Sequence, residues 1–155
     1  MKHVKKSVLL WYAPHEIYGL VTDVASYPQF LPWCERVDIL SRDADGLTAR
    51  LHLAYSGIRH AFTTKNVQVP DTSVHVGLVD GPFSLLDGLW RFVPLQLPGG
   101  AADGGPTTAC KIEFEMRYAF SSGVLEAAIS PVFDRIADTF VDSFVRRAEQ
   151  VHGSP

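Results

Sequence analysis

Polar and apolar residues alternate from Cys110 to Phe120. Cys110, Ile112, Phe114, Met116, Tyr118 and Phe120 fall on one face, and Lys111, Glu113, Glu115 and Arg117 on the other. Period-two alternation with one charged face predicts an antiparallel strand with one wet side. The period then changes. Leu125, Ile129, Val132, Phe133, Ile136, Phe140, Phe144, Ala148 and Val151 recur at three- and four-residue spacing, an apolar stripe as wide as a core-facing helix needs. A curved sheet with one dry face, closed by one long helix, makes a container.

The rest of the chain fits that frame. Residues 3–12 read as a strand with Val8, Leu10 and Tyr12 on one face, ended by Ala13-Pro14. Pro14 suits the first turn of a helix, and Ile17, Leu20, Val21 and Val24 give a short helical stripe. The segment from Asp23 to Trp33, rich in aromatics and prolines, predicts a tightly packed turn or short helical piece. Strands follow at Val37–Ser41, Leu47–Tyr55, Ile58–Val69, Val74–Val79 and Leu89–Leu95. Asp43–Gly46, Ser56-Gly57 and Pro70-Asp71 mark the turns between them. Asp80–Gly88 reads as a loop, and the Gly- and Pro-rich stretch 98–106 as a flexible hairpin loop. Pro131 lies within the helical stripe. Either it kinks the helix, or Ser130 caps a new segment with Pro131 at its first position. Strands in a run with segregated helices predict an α+β fold and an antiparallel sheet.

Composition narrows the class. The 155 residues form one domain with room for a real core; 46% are hydrophobic and 20% charged, as in an ordinary soluble globular protein. A net charge of −3 argues against DNA or another polyanion held by bulk electrostatics. Basic residues gather only locally, at Lys2, Lys5 and Lys6 and at Arg146 and Arg147. The two cysteines, Cys34 and Cys110, are too far apart in sequence for a zinc knuckle and too few for a disulfide framework. The short apolar run Val8–Tyr12 is no signal peptide, and no stretch approaches the ~20 apolar residues of a membrane span. The expected location is the cytoplasm, at most peripheral to the inner membrane.

Catalytic and metal motifs are missing. The histidines lack the helical spacing of a zinc site, and no metal ligand set is expected. There is no nucleophile elbow, and the glycine-rich stretch lacks the Lys-Ser/Thr pair of a phosphate loop. Asp134, Asp138 and Asp142 read as a solvated helix face, and Cys34 as a buried structural thiol.

Three unusual segments remain: Tyr27–Cys34 (YPQFLPWC), Asp80–Trp90 (DGPFSLLDGLW) and Ser130–Ala148. In this order the chain resembles the coenzyme Q-binding, START-like family of the polyketide cyclase and lipid transport superfamily. The matching residues are Asp23-Val24, Tyr27-Pro28, Phe30-Leu31-Pro32-Trp33-Cys34, Gly81-Pro82-Phe83, Trp90, Phe92 and Pro131-Val132-Phe133-Asp134. The resemblance runs from about Ser7 to about His152, with 98–106 longer than the family pattern. It implies a helix-grip fold, in which an antiparallel sheet wraps the C-terminal helix around a hydrophobic tunnel. It also implies a ubiquinone or related polyprenyl lipid as ligand, held without catalysis or a catalytic cofactor in support of respiratory electron transfer.

Tunnel walls are expected from Leu51, Leu53, Phe62, Leu78, Trp90, Phe92, Ile112, Phe114 and Met116 on the sheet, and from Ile129, Phe133, Ile136 and Phe140 on the helix. The mouth is expected at Phe30, Leu31, Trp33, Phe83 and Leu86, with Trp33 and Phe83 touching a membrane surface or the quinone head. The resemblance leaves two other functions open, each known in relatives of the family. One is a toxin that binds the large ribosomal subunit and blocks subunit joining. The other is a polyketide cyclase, for which His60 or Tyr55 would supply acid/base chemistry.

Overall fold

A computed structural model describes residues 1–95 and 109–153. The expected hairpin loop at 98–106 lies outside the described residues. The elements are β1 (Lys2–Leu10), α1 (Pro14–Thr22), a 3₁₀ helix (Val24–Gln29), β2 (Cys34–Arg42), β3 (Gly46–Tyr55), β4 (Ile58–Val69), β5 (Ser73–Asp80), β6 (Phe83–Pro94), β7 (Cys110–Phe120) and α2 (Gly123–His152). The strands form one antiparallel seven-stranded sheet in the order β1-β7-β6-β5-β4-β3-β2. Strands β2 to β7 run as a meander. Only β1 departs from it, pairing with β7 to form an edge. Exposed Lys5 and Lys6 on that strand discourage pairing with another chain.

The pleat decides what the sheet encloses. Side chains directly opposite in an antiparallel pair share a face. The pairs Leu51↔Phe62, Leu47↔Asn66, Val74↔Trp90, Trp90↔Phe114 and Phe92↔Ile112 therefore line up on the inner face. Helix α2 lies across that face and buries Ile129, Phe133, Ile136, Ala137, Val141, Phe144 and Ala148. The helix-grip α+β architecture expected from the sequence is thus the one observed.

Three boundaries differ from expectation. Strand β2 begins at Cys34, and β1 ends at Leu10, so Tyr12 lies beyond it. The third matters most. The expected loop Asp80–Gly88 is almost all strand, because β6 starts at Phe83 and pairs Phe83↔Phe120, Leu86↔Tyr118 and Gly88↔Met116. An irregularity between Phe83 and Leu85 shifts the register, so the side chains do not alternate cleanly from Phe83. Only Gly81 and Pro82 remain as the turn. The Ser56-Gly57 turn is as expected: both residues have positive φ, 51° and 80°, as a two-residue hairpin requires.

Helix α2 is continuous through Pro131, with Ser122 as its N-cap accepting a hydrogen bond from the Leu125 amide. Ser130 does not cap a second segment. Its hydroxyl donates to Asp134 Oδ2 at 3.1 Å and accepts from Lys2 Nζ at 2.7 Å. The proline removes the donor to the Ala127 carbonyl, on an exposed turn where water can replace it.

Asp134 departs from the solvated row, whereas Asp138 and Asp142 are exposed as expected. It takes hydrogen bonds from Lys2 of β1, from Ser130 and, at 2.5 Å, from the Tyr118 hydroxyl of β7. One carboxylate thus ties α2 to two strands. Burial opposes its ionisation, but the bonds from Lys2, Tyr118 and Ser130 outweigh burial and hold its pKa below the usual value. A depressed folded-state pKa adds stability above the unfolded value of about 4 and loses it as pH falls through the folded value. Asp134→Asn is therefore expected to lower the urea midpoint at pH 7. The gap from the parent protein should close as the pH is taken well below about 4. An equal gap at both pH values would contradict this account of the clamp.

Candidate ligand cavity

Between the inner face of the sheet and α2 lies a cavity of about 80 Å³. Phe133, Ile136, Ala137 and Phe140 face it from α2, at the spacing that puts residues on one helix face. The strands contribute Leu51 from β3, Phe62, Thr64 and Asn66 from β4, Val76 from β5, Leu86, Gly88 and Trp90 from β6, and Phe114 and Met116 from β7. Val24 and Tyr27 of the 3₁₀ helix, with Trp33, complete the wall. The rings interlock. Trp90 lies 4.6 Å from Phe114 and 5.6 Å from Phe140 between centroids, and Trp33 stacks on Phe62 at 6.3 Å.

Of the expected tunnel walls, Leu51, Phe62, Trp90, Phe114, Met116, Phe133, Ile136 and Phe140 line this cavity, whereas Leu53, Leu78, Phe92, Ile112 and Ile129 do not. Leu53, Phe92, Ile112 and Ile129 are buried elsewhere in the same core, Phe92 with its ring against Tyr18 at 5.8 Å. Leu78 is partly buried and packs against that core.

The mouth residues need more correction. Trp33 and Leu86 line the cavity, whereas Phe30, Leu31 and Phe83 do not. Trp33 is 5% exposed and Phe83 6%, so neither ring reaches outward to a membrane. Phe83 instead packs on Phe133 at 4.9 Å and Phe120 at 5.2 Å, because its segment is sheet rather than loop. Leu31 is buried, and Phe30 is partly buried beneath the Arg147 guanidinium, 5.1 Å from the ring centroid.

Val24, Tyr27, Thr64, Asn66, Val76, Gly88 and Ala137 line the cavity unforeseen. Counting by twos from Phe62 puts Thr64 and Asn66 on its face. The signal was obscured because β4 buries Thr63 as well and exposes Val67 and Val69. Gly88 was hidden by its assignment to a loop.

The polar content of the cavity is small and uncharged. The Tyr27 hydroxyl donates to the Val21 carbonyl at 2.5 Å, and burial pushes its pKa up. Tyr27 is the only side chain in the described lining that titrates in water with an O–H or N–H group. Thr64 and Asn66 are each 4% exposed. His60 and Tyr55 do not line the cavity. His3, His52 and His75 pair with Glu115, Asp38 and Asp87, and among the described residues no cluster of potential metal ligands occurs. Both thiols are free and buried. Burial pushes Cys34 up to about 12 and Cys110 up to about 11, so both stay protonated and unreactive near neutrality.

Comparison with known proteins places this geometry. The family "Polyketide cyclase / dehydrase and lipid transport" matches residues 11–145. The chain belongs to this family. It is 37% identical over 153 residues to the ribosome association toxin RatA of Vibrio cholerae, covering 99% of each chain. It is 28% identical over 151 residues to the mitochondrial coenzyme Q-binding protein COQ10 of Drosophila melanogaster, covering 97% of this chain and 60% of that one. Among solved structures, the 18 kDa protein CC1736 from Caulobacter crescentus superposes with a TM-score of 0.71 at 31% identity, covering 99% of this chain and 100% of that one. The Zhui aromatase/cyclase from a Streptomyces species superposes with a TM-score of 0.78 at 16% identity, covering 96% and 94%; that likeness is one of fold. The polyketide cyclase and lipid transport superfamily expected from the sequence is therefore the family found.

Proposed function

We propose that the protein binds ubiquinone or a related polyprenyl lipid in the cavity between sheet and α2, as a carrier or chaperone rather than an enzyme. The carrying observation is the lining: apolar and aromatic walls, three buried neutral polar side chains (Tyr27, Thr64 and Asn66), with the Tyr27 hydroxyl engaged by the Val21 carbonyl, and among the described residues no carboxylate, imidazole or amine. Such walls suit a hydrophobic ligand. General acid/base catalysis instead needs a titratable group aimed at the reacting atoms, which weighs against a cyclase. The similarity to a coenzyme Q-binding protein supports the choice of lipid.

Size sets a condition. At about 80 Å³ the cavity is well below the roughly 300–1,000 Å³ of sites for drug-sized ligands, so binding must open it. The sheet is held by its ladders of backbone bonds. The segment from Val24 to Trp33 lies outside the sheet, as a short 3₁₀ helix (Val24–Gln29) and the turn after it, tied to α2 by Arg147, which donates to Gln29 at 2.9 Å; on this reading it is the wall that moves to admit a ligand. Each CH₂ buried returns about 0.8 kcal/mol, so a few isoprene units offset the opening.

Titration with a short-chain ubiquinone tests the reading. Trp33 and Trp90 are in the wall, so binding is expected to quench tryptophan fluorescence saturably. No saturable change up to the solubility limit would contradict it.

A second reading, association with the large ribosomal subunit, is favoured by the RatA similarity along nearly the whole of both chains. It predicts co-sedimentation with ribosomes that weakens as salt rises. Protein remaining at the top of a low-salt gradient would remove it. The two readings are compatible.

A further inference from the structure

Thr64 and Asn66 are unusual for an apolar core. Both are 4% exposed and both line the cavity. They lie two residues apart on β4, so both side chains point inward, about 6.6 Å apart along the strand. Their cross-strand neighbours are Ala49 and Leu78 for Thr64, and Leu47 and Val76 for Asn66, and none of these has a polar side chain. No described residue hydrogen-bonds to either side chain, yet among the described residues no fully buried polar side-chain atom lacks a partner. The hydroxyl and the amide therefore open onto the cavity itself. The backbone beneath is fixed. Strand β3 approaches so closely at Gly46 that a Cβ there would lie 1.9 Å from the Asn66 carbonyl oxygen.

Buried polar groups are ordinarily paired, and an unpaired one costs free energy. A threonine hydroxyl and an asparagine amide both donate and accept. They suit a neutral oxygen, either a ring carbonyl or its reduced hydroxyl. A phosphate or ammonium would find no opposite charge in the described lining, and its desolvation would go uncompensated.

We propose that Thr64 and Asn66 form a head-group site that takes an uncharged, oxygen-bearing ring, so that the ligand enters head first and its apolar chain trails along the wall. This rests on the lipid-binding reading and extends it to orientation and head chemistry. The site selects quinone or quinol heads over polyprenyl phosphates and over bare hydrocarbons of the same chain.

The test is calorimetric titration of the whole protein and of the double variant Thr64→Val, Asn66→Leu. The probes are a two-isoprene ubiquinone, the matching hydrocarbon without the ring oxygens, and a two-isoprene phosphate. Both substitutions preserve approximate shape, and removing polar groups that no described residue pairs is not expected to unfold the protein. Thr64→Val alone serves if the double variant does not fold. The parent is expected to bind the quinone at least about tenfold more tightly than the other two probes. The double variant should lose about tenfold in quinone affinity and none for the hydrocarbon. Unchanged quinone affinity in the variants, or phosphate binding equal to quinone binding, would overturn the head-group site and leave lipid binding standing. A parent protein that binds none of the probes would overturn lipid binding, and the head-group site with it.

Discussion

Gly88→Val is expected to cut quinone affinity by at least about tenfold while leaving the protein as stable as its parent. Gly88 sits on β6 between Val76 and Met116, on the cavity face. A Cβ added there would meet Val76 at 3.8 Å and Phe114 at 3.9 Å, ordinary contact distances, and the backbone is not in a region that demands glycine. Further side-chain atoms would occupy a space of only about 80 Å³. Glycine is a poor strand residue and valine a good one, so the substitution supplies local stability while it plugs the cavity. Gly77→Val is the control. Gly77 pairs with Asp87 on the outer face, and its added Cβ would meet only the edge of His75, at 3.6 Å. It should bind quinone like the parent. Equal binding by parent, Gly88→Val and Gly77→Val would place the ligand somewhere other than this cavity.

Trp90→Ala is expected to cost about 3–5 kcal/mol of folding stability. Trp90 is 1% exposed and packs against Phe114 at 4.6 Å, Phe144 at 5.1 Å and Phe140 at 5.6 Å, joining two strands of the sheet to α2. Removing the indole enlarges a cavity whose interlocked walls cannot simply collapse. Against a typical total of about 5–15 kcal/mol, the loss should be plain in a urea midpoint, with an unchanged slope if the unfolded state is unaffected. Trp11→Ala provides the contrast. Trp11 is 62% exposed, and its loss should change stability by no more than about 0.5 kcal/mol. A Trp90→Ala loss below about 1 kcal/mol would mean that the core is not packed as described.

The parts of this fold that were legible in the sequence are those with a strong period. The alternation through Cys110–Phe120 and the stripe from Leu125 to Ala148 reported the sheet face and the helix face directly, because burial on one side imposes each pattern; Val151, the last residue of the expected stripe, is instead 50% exposed, in the last turn of α2. Half-buried positions with mixed chemistry were not legible. In β4 the irregular pairing with β5 at Thr63 and Thr64 buries consecutive residues, which no single period records. In β6, Gly81, Pro82 and Gly88 suggested a loop, although Gly88 is a strand residue with a cavity in front of it. Asp134 looked like its neighbours Asp138 and Asp142. Only the approach of Lys2 and Tyr118, distant in sequence, distinguishes it. The same limit explains the mouth residues: Trp33 and Phe83 announced an aromatic cluster, but whether such rings point in or out depends on contacts made far along the chain.

The most direct measurement is organic extraction of the protein, purified from its native host without detergent, followed by mass spectrometry of the extract. The account predicts an uncharged polyprenyl quinone or quinol in near-stoichiometric amount from the parent protein, and its loss from Gly88→Val prepared in parallel. An extract without lipid, or one holding a charged lipid at the same level in parent and variant, would contradict it.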